Sequence, residues 1–117
     1  MTSPDVTEQP VAGKVALITG GARRIGATIA QVLHQQGYRI IIHYGHSATE
    51  AQALSEQLNL QRINSAACLQ ADLNDDTQRQ QLAQQTLACF GQLDLLVNNA
   101  SSFYPTPIGS GTLEQWD

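Results

Sequence analysis

The chain has 117 residues, enough for one small domain with a single core and short for an α/β enzyme. A net charge of −4 and a pI near 5.1 exclude a general electrostatic grip on nucleic acid or an anionic membrane, so any anion site must be local. No apolar run approaches the ~20 residues that span a bilayer, and the polar start MTSPDVTEQP lacks the cationic and apolar regions of a signal peptide, so a cytoplasmic protein is expected.

Residues 1–12, with Pro4 and Pro10 and no periodicity, read as a loose leader. KVALIT (Lys14 to Thr19) is a short apolar block with β-branched residues, the pattern of a strand covered on both faces. Glycines follow, and then Ile25, Ile29, Val32 and Leu33 recur at helical spacing up to Gly37, placed as a C′ residue. YRIIIHY (Tyr38 to Tyr44) predicts a second buried strand. Ser47 to Glu50 has capping-box spacing ahead of Ala51, Leu54 and Leu58. INSAACLQA (Ile63 to Ala71) predicts a third strand; Asp75 and Asp76 sit where acids favour a helix start, and Leu82, Ala83, Thr86, Leu87 and Phe90 mark that helix's apolar face before Gly91. The glutamine-rich QRQQLAQQ reads as its wet face rather than as a low-complexity tract. LDLLV (Leu93 to Val97) predicts the fourth strand. Cys68, in the third strand, and Cys89, late in the third helix, have no CxxC partner or neighbouring histidine and are expected to be reduced, buried thiols.

Strands alternating with helices of this length imply right-handed βαβ crossovers and a parallel sheet. The expected fold class is α/β, a Rossmann-like doubly wound parallel sheet with strand order 3-2-1-4. It is expected to be incomplete: a polar loop, NNASSFYPTPIGSG, follows Val97, Thr112 is placed to cap a fourth helix, and the chain ends at its start. Residues 13–117 thus read as the N-terminal part of one nucleotide-binding domain.

Chemistry concentrates in TGGARRIG (Thr19 to Gly26). Backbone N–H groups at a helix N-terminus, reached through Gly20, Gly21 and Gly26, suit a pyrophosphate. A glycine turn alone is a weak signal that a plain tight turn also explains, and its spacing is not the usual G-x-G-x-x-G. Arg23 and Arg24 favour the phosphate: unpaired, they would repel the positive end of the helix dipole, whereas a bound anion satisfies both. The second signal is an absence. NAD-preferring folds place an acid at the end of the second strand to accept from the ribose hydroxyls; here the stretch reads His43-Tyr44-Gly45-His46-Ser47, and the next carboxylate is Glu50. Arg23, His46 and Ser47 are candidate donors to a 2′-phosphate, which favours NADP over NAD. An H-x-x-H metal reading of His43 and His46 lacks a third ligand, and no metal is expected.

These motifs carry a resemblance. TGGARRIG resembles the T-G-x-x-x-G-x-G cofactor turn of the short-chain dehydrogenase/reductases, and Asn98-Asn99-Ala100 resembles their motif after the fourth strand, with Asp72 between. Within that superfamily Arg24 replaces the middle glycine, and HYGHSA with NNASSFYPTP resembles the pteridine reductases. The resemblance covers Gly13 to Asp117, roughly the first half of such an enzyme. It implies an NADP(H) cofactor contacted by Gly20, Arg23, Arg24, Ile25, Gly26, the segment His43, Tyr44, His46 and Ser47, then Asp72 and Leu73 at the adenine, and Asn98, Ala100 and Ser101 along the ribose and nicotinamide. It implies a pterin substrate held by Arg24, Ser101 and Phe103, with Phe103 stacking on the flat ring; by itself Phe103 reads equally as a loop anchor. For the full-length form it implies a homo-oligomer, a tetramer. His46 stands where the family commonly has arginine, and Gly45 where it often has histidine. The family's Tyr-x-x-x-Lys pair does not occur in this sequence, so no catalytic residue is named. Three functions stay open: an NADPH-dependent pterin reductase, a ketone or 3-oxoacyl-carrier reductase of the same superfamily, and a non-catalytic NADP-binding fragment.

Overall fold

The computed structural model describes residues 13–99. Seven elements follow one another in strict alternation: β1 (Val15–Thr19), α1 (Arg24–Gln35), β2 (Arg39–Tyr44), α2 (Ala48–Gln61), β3 (Ala66–Gln70), α3 (Asp76–Phe90) and β4 (Leu95–Asn98). All strand pairs are parallel and the sheet order is β3-β2-β1-β4, the first half of a doubly wound α/β fold as expected. The register sets Ile18 beside Ile42 and Thr19 beside Asn98, so the carboxyl ends of β1, β2 and β4 form one edge.

Strand alternation assigns the core. Ala16, Ile18, Ile40 and Ile42 point to one face and pack with Ala30, Ala51, Leu54 and Leu58 from α1 and α2. Val15, Leu17 and Ile41 point to the other and pack with Leu82 of α3. Every residue of β1 is buried, which is why KVALIT reads as a continuous apolar block rather than an alternating one. Each fully buried Leu or Ile contributes on the order of 1.5–3 kcal/mol over leaving it in water.

Helix ends carry the local logic. Gly37, at φ +111°, closes α1: its N–H donates to His34 O (3.0 Å) and the Tyr38 N–H reaches back to Leu33 O (3.1 Å), the paired bonds of a Schellman motif. Asp75 caps α3, its Oδ1 accepting from the N–H groups of Thr77 (2.8 Å) and Gln78 (3.1 Å). At the end of α2, Asn59 Oδ1 accepts from Ser65 N (2.9 Å) and Ala66 N (3.0 Å), and its Nδ2 donates to Ala66 O (3.0 Å), which anchors the start of β3.

The structure differs from the expectations at several places. Ile25 and Val32 lie on the solvent side of α1, 70% and 46% exposed, because the helix packs on Gly26, Ala30 and His34; the buried stripe is narrower and more polar than hydrophobic spacing indicated. Ser47 does begin α2, but its side chain makes no capping bond, so the capping box does not form. Leu87 is half exposed and Ile63 is exposed and precedes β3. Cys89 is exposed and Cys68 only partly covered, in place of two buried thiols; what burial they have pushes both thiols upward in pKa, with Glu56 adding to the effect at Cys68. The 1–12 leader, the segment from Ala100 onward and the fourth helix start at Thr112 lie outside the described residues.

Candidate functional site

The carboxyl edge of the sheet brings together the β1–α1 turn, the β2–α2 turn, the loop after β3 and the end of β4. The β1–α1 turn is built tightly from the protein's own atoms. Gly20 is held at both ends: its N–H donates to His43 Nδ1 (2.9 Å) and its carbonyl accepts from Asn99 Nδ2 (3.1 Å). The Gly21 N–H donates to His43 O (3.0 Å). A Cβ on Gly26 would lie 2.3 Å from Gly20 O and 2.8 Å from Asn99 Nδ2, so Gly26 is glycine because the helix start is pressed onto the turn. One on Gly21 would meet Ile18 O at 2.9 Å. The side chain of Thr19 lies within donating distance of Val97 O (3.3 Å) and Asn98 Oδ1 (3.2 Å), tying β1 to β4 below the turn.

What remains for a ligand is the first turn of α1. The N–H groups of Gly20 and Gly21 are used internally, whereas those of Arg24, Ile25 and Gly26, by their position in the first turn, have no partner inside the helix. Arg23 occupies the N-cap without a capping side-chain bond, and no acid stands in the first turn. Among the described residues neither Arg23 nor Arg24 pairs with a carboxylate, and both side chains are exposed. Two unpaired guanidinium groups at the positive end of a helix dipole form an arrangement that an anion completes.

Arg24 has a second peculiarity. Its φ is +55°, a left-handed conformation that costs a residue with a Cβ about 1–2 kcal/mol and a glycine almost nothing. Sequence reasoning noted an arginine where a glycine is usual; the backbone shows why glycine is the easy choice there.

The β2 end carries His43 and the exposed His46. His43 is turned inward and 3% exposed. Because Nδ1 accepts the Gly20 N–H, the ring is the neutral tautomer with its proton on Nε2, and that proton faces Ala71 O at 2.9 Å. Burial lowers its pKa, only partly offset by the bond to Ala71, so the ring stays neutral at neutral pH. His43, grouped with the expected cofactor contacts, therefore has both nitrogens engaged within the protein and supports the turn; Tyr44 and Ser47 lie half-buried beside it in sequence. Neither this geometry nor any group of three or more metal-ligating side chains among the described residues offers a metal centre.

The loop after β3 is equally fixed. Asp72 N–H donates to Gln78 Oε1 (2.8 Å), Asp72 Oδ1 accepts from Asn74 N (3.0 Å), and Arg79, paired with Asp76, donates to Leu73 O (2.7 Å). Asp72 is exposed and Leu73 half-buried at the rim. Asn98 ends β4 beside Thr19. Ala100, Ser101 and Phe103 lie outside the described residues.

Sequence reasoning missed Asn99 and the inward role of His43. Both had a signal: Asn99 adjoins Asn98 at a strand end, and His43 is the polar residue in the run IIIHY, a strand covered on both faces, so its side chain is buried whichever face it takes.

A short chain dehydrogenase family profile matches residues 14–117, across the sheet, the glycine turn and the segment after β4. The chain belongs to the short chain dehydrogenase family. Curated proteins similar to this short chain dehydrogenase include pteridine reductase 1 of Leishmania tarentolae, 42% identical over 120 aligned residues that cover 88% of this chain and 41% of that protein. Hydroxynaphthalene reductase of Aspergillus fumigatus is 41% identical over 112 residues, covering 95% of this chain and 40% of that protein. A 3-oxoacyl acyl-carrier-protein reductase of Staphylococcus aureus is 33% identical over 104 residues, covering 89% and 42%. This chain therefore spans about two fifths of the length of these relatives. Among the described residues no helix is long and apolar enough to cross a membrane.

Proposed function

We propose that this short chain dehydrogenase segment is the cofactor-binding part of an NADPH-dependent reductase whose substrates are pterins. The observation that carries the reading is Arg24: a guanidinium kept at the head of α1 in a backbone conformation that glycine would hold more cheaply, beside Arg23 and unpaired. Strain retained at a ligand-facing turn points to a use for the side chain that offsets it. The similarity to a pteridine reductase supports this, and so does the absence of an acid between His43 and Ser47, which leaves a 2′-phosphate facing donors rather than a like charge.

The residues fit the cofactor by donor chemistry. Arg24, Ile25 and Gly26 offer first-turn N–H groups to the pyrophosphate, with Gly20 shaping the approach; Arg23, His46 and Ser47 offer donors to the 2′-phosphate, with Tyr44 alongside; Asp72 and Leu73 form the rim for the adenine. Asn98, Ala100 and Ser101 are assigned to the ribose and nicotinamide by the resemblance of their motif. Bound there, NADPH supplies a hydride, and the protein contributes position and electrostatics. Arg24, Ser101 and Phe103 are assigned to the pterin, Phe103 by stacking. No proton donor is assigned within these residues. The working form is assigned as a cytoplasmic homo-oligomer, a tetramer, acting on a small molecule and not on nucleic acid or membrane.

The test is NADPH oxidation by the complete reading frame that encodes this chain. Turnover with biopterin or dihydrobiopterin, lost in Arg24→Gly, is expected. Fast turnover of a simple ketone with none of either pterin overturns the reading in favour of a carbonyl or 3-oxoacyl reductase, for which the similarity to the hydroxynaphthalene and 3-oxoacyl reductases stands.

A further inference from the structure

The β1–α1 turn and the loop after β3 are the two places where the proposed cofactor's pyrophosphate and adenine would rest, and no strand pairing joins them directly, because β2 lies between β1 and β3. One side chain spans that gap. His43 Nδ1 accepts the Gly20 N–H at 2.9 Å, and its Nε2–H faces Ala71 O at 2.9 Å, immediately before Asp72 and Leu73. Ala71 is fixed in turn by its own N–H to Tyr44 O at 3.1 Å. We propose that His43 is a positioning residue for the dinucleotide: a neutral imidazole that sets the turn and the adenine loop at a fixed separation and turns the Gly20 N–H inward, leaving the first-turn N–H groups of α1 as the ones that meet the phosphates. The inference rests on the NADPH reading above.

Three features of the arrangement carry it. The ring is buried and bonded at both nitrogens, so it has one orientation and one tautomer. The bonds go to backbone atoms of two different loops, so the ring acts on main-chain placement rather than on a neighbouring side chain. A residue without an acceptor at the Nδ1 position leaves the Gly20 N–H without its partner beneath the turn, and the turn must rotate to find another, which moves the start of α1 pressed against it at Gly26.

A second buried histidine provides the control. His34, 1% exposed, lies on α1 near its C-terminal end, at the far end of the helix from the turn, with Nε2 2.7 Å from Ser65 Oγ and its backbone carbonyl accepting from Arg62 Nη1 at 3.0 Å. Replacing it removes a buried histidine bond of similar length without touching Gly20 or Ala71.

The experiment measures NADPH dissociation constants, by cofactor fluorescence, and melting temperatures for the complete reading frame and its His43→Leu, His43→Asn and His34→Leu variants. Asparagine keeps an acceptor near the Nδ1 position. His43→Leu should weaken NADPH at least ~10-fold, His43→Asn should recover to within ~3-fold of the parent, and His34→Leu should bind within ~2-fold of the parent despite a lower melting temperature. Binding by His43→Leu within ~2-fold of the parent overturns the inference, and so does equal weakening by His34→Leu. If the parent itself binds no NADPH, the proposed function fails instead. Should His43→Leu not fold, amide exchange in the parent decides: a Gly20 amide as protected as those of β1 supports the bond, and one exchanging like an exposed loop amide overturns it.

Discussion

Gly26 and Gly91 are glycine for two different reasons and Gly45 is under neither constraint, and substituting each by alanine separates them. At Gly26 the added Cβ would sit 2.3 Å from Gly20 O and 2.9 Å from Gly21 Cα, more than an ångström inside ordinary contact with the first and well inside it with the second. Both are backbone atoms of a turn already bonded to His43 and Asn99, so neither yields cheaply. Overpacking of this kind costs about 1–3 kcal/mol and more against backbone; alanine in a helix recovers about 1 kcal/mol. The net loss expected for Gly26→Ala is about 2 kcal/mol, a fall in melting temperature of roughly 8–16 °C for a domain of this size. At Gly91 the φ is +82° with open space around the Cβ, so Gly91→Ala should cost about 1 kcal/mol through backbone strain alone. At Gly45 nothing lies within 4 Å and φ is not left-handed, so Gly45→Ala should be neutral or stabilise by up to about 1 kcal/mol. Urea melts of the three variants with unchanged m-values test the ranking. Gly26→Ala within about 0.5 kcal/mol of the parent, or Gly45→Ala as damaging as Gly26→Ala, would refute the claim that α1 is seated on the turn by direct contact.

Arg24→Gly should stabilise the fold by up to about 1 kcal/mol, since relief of the left-handed strain exceeds the added chain entropy, while weakening NADPH; a denaturant melt paired with a titration checks both, and loss of stability would contradict the strain. Burial lowers the pKa of His34 and His43 from 6.5, with Arg62 adding at His34, so below that pH the unfolded chain takes up protons that the fold refuses. Stability should therefore be full above about pH 7 and fall on acidification through the mid-sixes, by at most about 2.7 kcal/mol per pH unit with both rings contributing; melts that do not move between about pH 7.5 and about pH 5.5 would contradict it. Asp75→Ala removes the cap that accepts from Thr77 and Gln78 and should cost about 1 kcal/mol, with early fraying of α3 visible in amide exchange.

The strand order and all seven elements were legible because the apolar blocks are short and glycine or acid punctuates the helices, and because β1 and β2 are apolar on both faces, which only a covered parallel sheet explains. Ile25 and Val32 misled because α1 approaches the sheet through its small residues: a close approach at Gly26 and Ala30 leaves Ile25 and Val32 outside while Ile29 and Leu33 stay partly buried, and hydrophobic spacing weighs Ile above Gly. Ser47 misled because a capping box needs a side-chain rotamer that spacing does not reveal. At the site, the glycines and arginines are what point to the proposed anion cradle, but which N–H groups stay free depends on His43 crossing from β2 beneath the turn, a contact between residues 23 positions apart.

We propose that the head of α1 with Arg23 and Arg24, together with the acid-free end of β2, selects a 2′-phosphorylated dinucleotide. Parallel titrations of the complete reading frame with NADPH and NADH at constant ionic strength test it directly. NADPH should bind at least ~10-fold tighter, with the gap narrowing in Arg23→Ala; equal affinity for the two cofactors would contradict the account.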